Sequence, residues 1–202
     1  MECYSAFEVE RVARRAFEIA RGRRNSVTSI DKSNALESSR MWRETVTRVH
    51  DADYPDVELT HLLVDKAAME IACNPSRFDV MLTTSIFGDI LSDEAGVTTG
   101  SVGMLASAAI NDKNFGLYEP IHGTAPDIAG KGIANPLASI AAVGMMLDIA
   151  FGLKEEAAAV DRAINAVLHD GYRTPDIYRG GSGQIKTTTE EMGVQTAARI
   201  SK

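Results

Sequence analysis

The first half of the chain alternates between helical and strand-like hydrophobic patterns, and this alternation constrains the fold more than any other feature. Apolar residues recur at helical spacing over 8–24, 34–49 and 67–73. Short apolar or β-branched runs of strand length lie between and after them, at 26–31, 57–65 and 78–84. Because parallel strands are joined by crossover helices, the alternation predicts an α/β fold built on a parallel sheet. The last run, FDVMLTT, is apolar almost throughout, which is typical of a strand buried on both faces.

A helix with two aligned carboxylates is predicted directly after that strand, in SIFGDILSDEAG at 85–96. Its apolar side chains predict a buried stripe, formed by Ile86, Phe87, Ile90 and Leu91. Asp89 and Asp93 lie about one helical turn apart, where like charges repel each other. A shared cation would remove this repulsion, so the pair is a candidate metal site.

Asp65 is a third carboxylate that the fold would bring to the same edge of the sheet. It ends the strand predicted at 57–65, and ligands of open α/β sheets bind beyond the carboxyl ends of strands. Three carboxylates without a nearby histidine favour Mg²⁺ or Mn²⁺ over zinc. The spacing alone leaves an alternative open, in which all three are solvated surface acids.

Lys32 is a candidate general base. It directly follows the predicted strand that contains VTSI, and the neighbouring acid, Asp31, could tune its basicity. The alternative is an ordinary surface lysine.

Past Gly96 the chain becomes rich in glycine and small residues, and the segment 117–136 has neither helical nor strand periodicity. An unstructured loop of about 20 residues is usually functional or disordered. The side chains of Tyr118, Ile121, His122 and Ile128 argue against disorder. Helices are predicted after this loop at 137–151, at 155–168 and from Thr189 onward.

The 117–136 loop carries candidate cofactor-binding features. Its glycines allow a ligand to approach the backbone closely, and Asp127 could accept hydrogen bonds from ribose hydroxyls. The loop matches neither the GxGxxG fingerprint nor the P-loop. His122 taken alone could equally be a structural histidine.

Composition excludes several classes of function. The 202 residues carry a net charge of −7, which argues against non-specific binding to nucleic acid or to an anionic membrane surface. No apolar run approaches the roughly 20 residues that span a bilayer, and the N-terminus lacks a secretory apolar core. The two cysteines, Cys3 and Cys73, form no CxxC pair, which fits a reducing cytoplasm and excludes a cysteine-based zinc site. Cys73 is expected to be a small buried side chain.

Four motifs in order resemble the isocitrate/isopropylmalate dehydrogenase family of β-decarboxylating dehydrogenases. They are VTSIDKSNALESSRMWRE, FGDILSDEAG, GLYEPIHGTAPDIAGKGIANP and EEMG. The resemblance implies the three-layer α/β fold of this family, with a mixed or parallel sheet. Residues 1–98 would form most of the central domain for substrate, metal and dimerisation, and residues 99–202 the C-terminal half of the NAD-binding domain.

The resemblance also implies an activity, an NAD-dependent oxidative decarboxylation of a 2-hydroxy acid with Mg²⁺ or Mn²⁺. The motifs are most similar to members that act on 3-isopropylmalate in leucine biosynthesis, as homodimers whose active site is shared between subunits. Alternatives are related enzymes of tartrate or homoisocitrate, and a non-catalytic partner subunit. The match begins in the middle of family sequences, so the chain is expected to be a C-terminal portion with little activity alone.

Residue roles follow from the same resemblance. Lys32 would assist deprotonation, while Asp65, Asp89 and Asp93 would bind the metal, with Lys32 and Asp65 reaching the partner's site. Asn34 would lie near nicotinamide. The adenosine part of NAD would be held by Glu119, His122, Gly123, Thr124, Ala125, Asp127, Ile128 and Asn135. An acid at Asp127 would repel a 2′-phosphate, which favours NAD over NADP.

Overall fold

The computed structural model describes residues 3–200, and the chain divides into two compact units, Met1–Thr98 and Thr99–Lys202. Among the described residues, no helix is both long and apolar enough to cross a membrane. Each unit has its own secondary structure and buried side chains.

The first unit is a small α/β structure around a three-stranded parallel sheet, which confirms the predicted fold class. Its helices are α1 (Ala6–Arg21), α2 (Glu37–Asp53), α3 (Val64–Cys73) and α4 (Ser85–Thr99). Its strands are β1 (Ser26–Asp31), β2 (Glu58–Leu63) and β3 (Val80–Thr83), in the spatial order β2-β1-β3.

Strand β1 forms the centre of this sheet and is its most buried strand. Val27 lies between Leu59 and Val80, and every residue from Val27 to Asp31 is buried. The sequence predicts this degree of burial for 78–84 instead, but β3 is an edge strand of four residues in which only Leu82 is buried. The reason is that β3 has a neighbour on one side only.

Helices α1 and α2 bury their apolar faces against the sheet in the main core cluster. Helix α1 begins where the sequence permits a capping box, since Ser5 Oγ accepts from the Glu8 amide at 3.4 Å and Ser5 N donates to the Glu8 carboxylate at 2.7 Å. Trp42 of α2 is 2% exposed, and the Tyr4 ring meets it edge-on at 5.9 Å. The Tyr4 hydroxyl in turn accepts from the amide of Ser85, the first residue of α4.

Asp79 connects the residues that follow α1 to the start of β3 through hydrogen bonds. Its nearly buried carboxylate accepts from Arg23 Nε and from the Arg24 amide, each at 2.9 Å. Burial raises the pKa of Asp79, but the hydrogen bonds from Arg23, Ser26 and Arg24 outweigh it and hold the pKa below its ordinary value.

Replacing Asp79 with asparagine should lower the free energy of unfolding by about 2 kcal/mol near neutral pH, because the hydrogen bonds from Arg23, Arg24 and Ser26 lose their charged acceptor. The depressed folded-state pKa makes this stabilisation present above the unfolded pKa of about 4, and it is lost as the pH falls through the folded value. Urea unfolding from pH 3 to pH 7 would check this. The exposed control Asp112→Asn should keep the pH dependence of the free energy of unfolding. The same pH dependence in Asp79→Asn would contradict the lowered pKa of Asp79.

Two burial predictions in the first unit are wrong. Ile86 and Ile90 are 55% and 61% exposed, so of the predicted stripe only Leu91 is fully buried. The four apolar residues cover two adjacent sides of α4, and the core of this unit packs against the Leu91 side. Cys73 is exposed because it is the last residue of α3, directly before a turn.

The second unit contains a hairpin, three helices and a pair of very short strands. The hairpin joins β4 (Ala106–Ile110) to β5 (Gly116–Pro120) in antiparallel register. The helices are α5 (Leu137–Ile149), α6 (Lys154–His169) and α7 (Thr189–Ile200), and the short parallel strands are β6 (Tyr172–Arg173) and β7 (Ile185–Lys186).

The predicted absence of regular structure at 117–136 is wrong at its start, because residues 116–120 form strand β5. The hairpin is closed by Asn111, whose side-chain oxygen accepts from the amides of Lys113 and Phe115 at 2.8 and 3.1 Å. Asn114 takes the positive φ that this turn requires. The helix predicted from Thr189 begins at that residue, as expected.

Candidate active-site residues

Lys32 lies directly after β1, in a segment that is held in place by hydrogen bonds and an ion pair. The neighbouring Asp31 is fully buried and receives a bidentate pair from Arg43, with Nε at 2.8 Å and Nη2 at 3.0 Å. The Ser33 amide donates to the same carboxylate at 2.9 Å, and the Lys32 amide donates to Ser39 Oγ at 3.0 Å. The backbone around Lys32 is therefore fixed before any ligand binds.

The Lys32 ammonium forms an ion pair and hydrogen bond with Asp65 of the same chain. This hydrogen bond lowers the pKa of the exposed Asp65 carboxyl below its ordinary value. Asp65 lies in the first turn of α3 rather than at the end of a strand, since β2 ends at Leu63. Asn34 is an exposed turn residue close to Lys32 in the chain.

Asp89 and Asp93 are exposed and lie about one turn apart near the middle of α4. Within residues 3–200 neither carboxylate has a hydrogen-bond or ion-pair partner, so their oxygens are free to act as ligands. Unpaired carboxylate oxygens fit Mg²⁺ or Mn²⁺, which prefer hard oxygen ligands. In the described part of the chain, no group of three or more acidic, histidine or cysteine side chains is arranged to hold a metal, so Asp65 does not join this pair within one chain.

Most of the predicted cofactor-binding residues line a cavity of about 660 Å³ in the second unit. Six of the eight line it, namely His122, Gly123, Thr124, Ala125, Ile128 and Asn135. Glu119 and Asp127 are exposed and do not line it. Backbone and small side chains make up much of the wall, which suits the close approach of a flat or sugar-containing ligand.

Ala125 has a strained backbone on this cavity wall. Its φ of 42° and ψ of 61° lie in the left-handed region, directly before the single turn Pro126–Ile128. A residue with a Cβ pays about 1 kcal/mol or more for this conformation, and such residues concentrate at ligand sites. His122 is exposed at the rim, with Nδ1 2.9 Å from the Gly123 carbonyl oxygen.

The deeper wall also contains Asp176, which was not among the residues predicted from the sequence. The buried Asn135 donates to Asp176 Oδ2 at 3.1 Å and accepts from the Leu137 amide at 3.0 Å, at the start of α5. A Cβ added to Gly103 would lie 2.8 Å from Asn135 Cβ and 3.2 Å from Asp176 Oδ2, so only glycine fits beside them. Asp176 lies far from the loop in sequence, and the only local signal is its turn-rich surroundings, GYRTPDIY.

Asp176 is held in its charged form. Burial raises its pKa, but hydrogen bonds from Ser101, Thr174 and Asn135 outweigh burial and hold the pKa below its ordinary value. The Thr174 hydroxyl donates to Oδ1 at 2.5 Å. The cavity therefore has a negative charge on an otherwise largely apolar wall.

Comparisons with known proteins agree on one family. The model of the isocitrate/isopropylmalate dehydrogenase family matches residues 1–195. The 3-isopropylmalate dehydrogenase of Photorhabdus laumondii is 53% identical over 201 residues, which are 100% of this chain and 54% of that enzyme. The 3-isopropylmalate dehydrogenase of Clostridium acetobutylicum is 54% identical, over 98% of this chain and 55% of its own length.

Solved structures have the same fold. The isocitrate dehydrogenase of Methylococcus capsulatus matches with a TM-score of 0.91 and 38% identity, covering 100% of this chain and 58% of that one. A β-decarboxylating dehydrogenase of Thermococcus kodakarensis matches with a TM-score of 0.85 and 35% identity, covering 57% of that chain. The chain spans about half the length of the curated relatives it matches. Because the family model covers nearly all of its residues and the fold is shared, the chain belongs to the isocitrate/isopropylmalate dehydrogenase family.

Proposed function

We propose that the chain takes part in the NAD-dependent oxidative decarboxylation of 3-isopropylmalate, a step of leucine biosynthesis in the cytoplasm. The observation that carries this proposal is the cavity in the second unit, lined by six residues of the motif that implied NAD binding. The names of the relatives that are 53% and 54% identical support 3-isopropylmalate as the substrate.

Lys32, in its neutral amine form, would take the proton from the substrate's 2-hydroxyl group and become the ammonium that pairs with Asp65. The Asp31–Arg43 pair and Ser39 hold the backbone around this side chain. Asp89 and Asp93 would hold Mg²⁺ or Mn²⁺, together with Asp65 of a second subunit. The metal, when bound, supplies stabilisation of negative charge on oxygen. NAD, when bound, supplies the hydride acceptor.

A homodimer would explain why one chain presents only two of the three acids together. Helix α4 carries the acidic pair, and it also has three exposed apolar side chains, Ile86, Ile90 and Val97. Burying such side chains against a second copy would be favourable and would place the two subunits' acids near each other.

A chimaera tests the proposed function. The chain would replace the matching 54% of the Photorhabdus laumondii enzyme, and formation of NADH would be measured with 3-isopropylmalate, isocitrate, tartrate and homoisocitrate. We expect activity with 3-isopropylmalate and Mn²⁺, loss of at least about 100-fold in Lys32→Ala, and no loss in the control Lys113→Ala. A folded dimeric chimaera that prefers another acid, or that keeps its activity without Lys32, would contradict the proposal.

The coenzyme preference should depend on Asp127 and Ile128. We expect the double variant Asp127→Lys, Ile128→Tyr of the same chimaera to raise kcat/KM for NADP by about tenfold or more and to lower it for NAD. The reason is that a cation in place of the acid attracts the 2′-phosphate and no longer accepts from the free 2′-hydroxyl. Unchanged constants for both coenzymes would refute a role for these two residues.

A further inference from the structure

His61 is a half-buried histidine of β2 that the proposed reaction does not use. It pairs in register with Ser29 of β1, whose hydroxyl oxygen accepts from Trp42 Nε1 of α2 at 3.3 Å. Residues in register on neighbouring parallel strands point to the same face of the sheet, so His61 faces α2. Its Nε2 lies 3.0 Å from Thr47 Oγ1 on that helix.

Thr47 determines which ring nitrogen of His61 carries the proton. The Thr47 hydroxyl donates to the carbonyl oxygen of Arg43 at 2.9 Å, so its oxygen is left to accept from His61 Nε2. The neutral ring therefore carries its hydrogen on Nε2 and has a bare lone pair on Nδ1. This Nδ1 is buried and has no hydrogen-bond partner among the described residues. A second proton would have to go to Nδ1, where the same residues offer no acceptor.

A proton on His61 would add a positive charge beside an existing ion pair. The titratable and charged groups that act on the ring are Arg43 and His50 of α2 and Asp31 of β1. Burial is the largest cause and lowers the pKa of His61, Arg43 and His50 lower it further, and Asp31 raises it by less than Arg43 lowers it. The pKa therefore lies below its ordinary value of about 6.5, and the ring is neutral at physiological pH.

The ion pair beside the ring is the one that holds the segment around Lys32. Arg43 Nε donates to the buried Asp31 carboxylate at 2.8 Å, and the same carboxylate accepts from the Ser33 amide at 2.9 Å. A cation on His61 would repel Arg43 and attract Asp31, so both of these hydrogen bonds would weaken. The backbone on either side of Lys32 would then lose contacts that fix it.

We propose that His61 is a positioning residue for Lys32, which keeps the Asp31–Arg43 pair intact while its ring is neutral and loosens that pair when Nδ1 is protonated. The inference rests on the proposed function, in which Lys32 is the general base. His61 then contributes a loss of activity at acid pH, in addition to the loss that the catalytic groups themselves produce.

The test compares the pH profile of kcat/KM for the chimaera with that of its His61→Gln variant. Glutamine can donate from nearly the same position as Nε2, but it does not titrate. With each profile divided by its own value at about pH 8, we expect the parent to lose about threefold more activity than the variant by about pH 5, because only the parent gains a buried cation. The control His169→Gln removes an exposed histidine at the end of α6 and should keep the parent profile.

Identical normalised profiles of the parent and His61→Gln would overturn this proposal alone, because the proposed function is tested separately by Lys32→Ala. A folded dimeric chimaera without activity would overturn the proposed function and this role of His61 together.

Nuclear magnetic resonance of the 202-residue chain gives a readout that does not depend on activity. We expect the His61 ring to be the Nε2–H tautomer at about pH 7.5 and to titrate below about 6.5. Hydrogen exchange of the Ser33 amide, relative to that in His61→Gln at the same pH, should become about threefold faster as the ring is protonated.

An Nδ1–H tautomer, a ring that stays neutral down to about pH 4.5, or a Ser33 exchange ratio that does not change with pH would overturn the proposal even if the chimaera is active. The tautomer and the titration of the ring in the unmodified chain decide the proposal if His61→Gln does not fold.

Discussion

Replacing Gly171 with alanine is expected to unfold the second unit. Gly171 has a φ of +93°, and a Cβ there would lie 2.1 Å from the carbonyl oxygen of Gly183, a backbone atom that cannot move aside alone. The Gly171 carbonyl also accepts from the Ile185 amide at 2.8 Å, so the clash falls where β6 and β7 pair. The positive φ and the clash with Gly183 together should lower the free energy of unfolding by on the order of 4 kcal/mol.

Gly152→Ala is the matched control, because it separates the backbone strain from the clash. Its φ of +67° is also positive, but no atom lies within 4 Å of the added Cβ, so the expected cost is about 1 kcal/mol. Urea unfolding followed by circular dichroism would measure both variants. Fluorescence of Trp42, the single tryptophan, reports on the first unit and separates loss of the second unit from unfolding of the whole chain. Equal losses of stability in the two variants would contradict a clash between the added Cβ and Gly183.

Asparagine in place of Asp89 or Asp93 is expected to produce two opposite effects. Without metal, the helix should become slightly more stable, by about 0.2–0.5 kcal/mol, because the repulsion between two carboxylates one turn apart is removed. With Mn²⁺, the chimaera should lose its metal-dependent activity by on the order of 100-fold or more, because a neutral amide is a weaker ligand than a carboxylate.

Glu94→Gln serves as the control on the same helix, since it removes one negative charge beside Asp93 without touching the pair. Mn²⁺ titration by electron paramagnetic resonance and thermal unfolding with and without the ion would measure both effects. Metal binding that survives in Asp89→Asn would exclude this residue as a ligand, whatever happens to activity.

The sequence predicted the order and type of most elements because their hydrophobic periods are long and regular. Strand β1 has the predicted bounds, and α7 begins at Thr189 as expected. The exposed residues Ile86 and Ile90 show the limit of such patterns. Periodicity identifies the apolar sides of a helix, but it does not tell which side this chain covers with its own core.

Pairing between distant segments was harder to predict than local structure. Strand β5 gives no clear alternation, and it exists because Asn111 closes a turn that brings it against β4. Asp176 could not be predicted as part of the cavity for a similar reason, since it reaches the cavity only when the turn after β6 folds back toward Gly103 and Asn135. The loop residues from His122 to Ala125 line the cavity together because they are contiguous in one motif, and their role in cofactor binding stays a prediction.

The amide of Asn135 has a consequence for how binding would affect motion. One side of this amide accepts from the Leu137 amide and orders the first turn of α5, while the other side donates to Asp176 in the cavity wall. A single planar group thus belongs to both the helix and the wall. We therefore expect fraying of that turn to disturb the cavity wall, and occupation of the cavity to slow hydrogen exchange of the Leu137 amide.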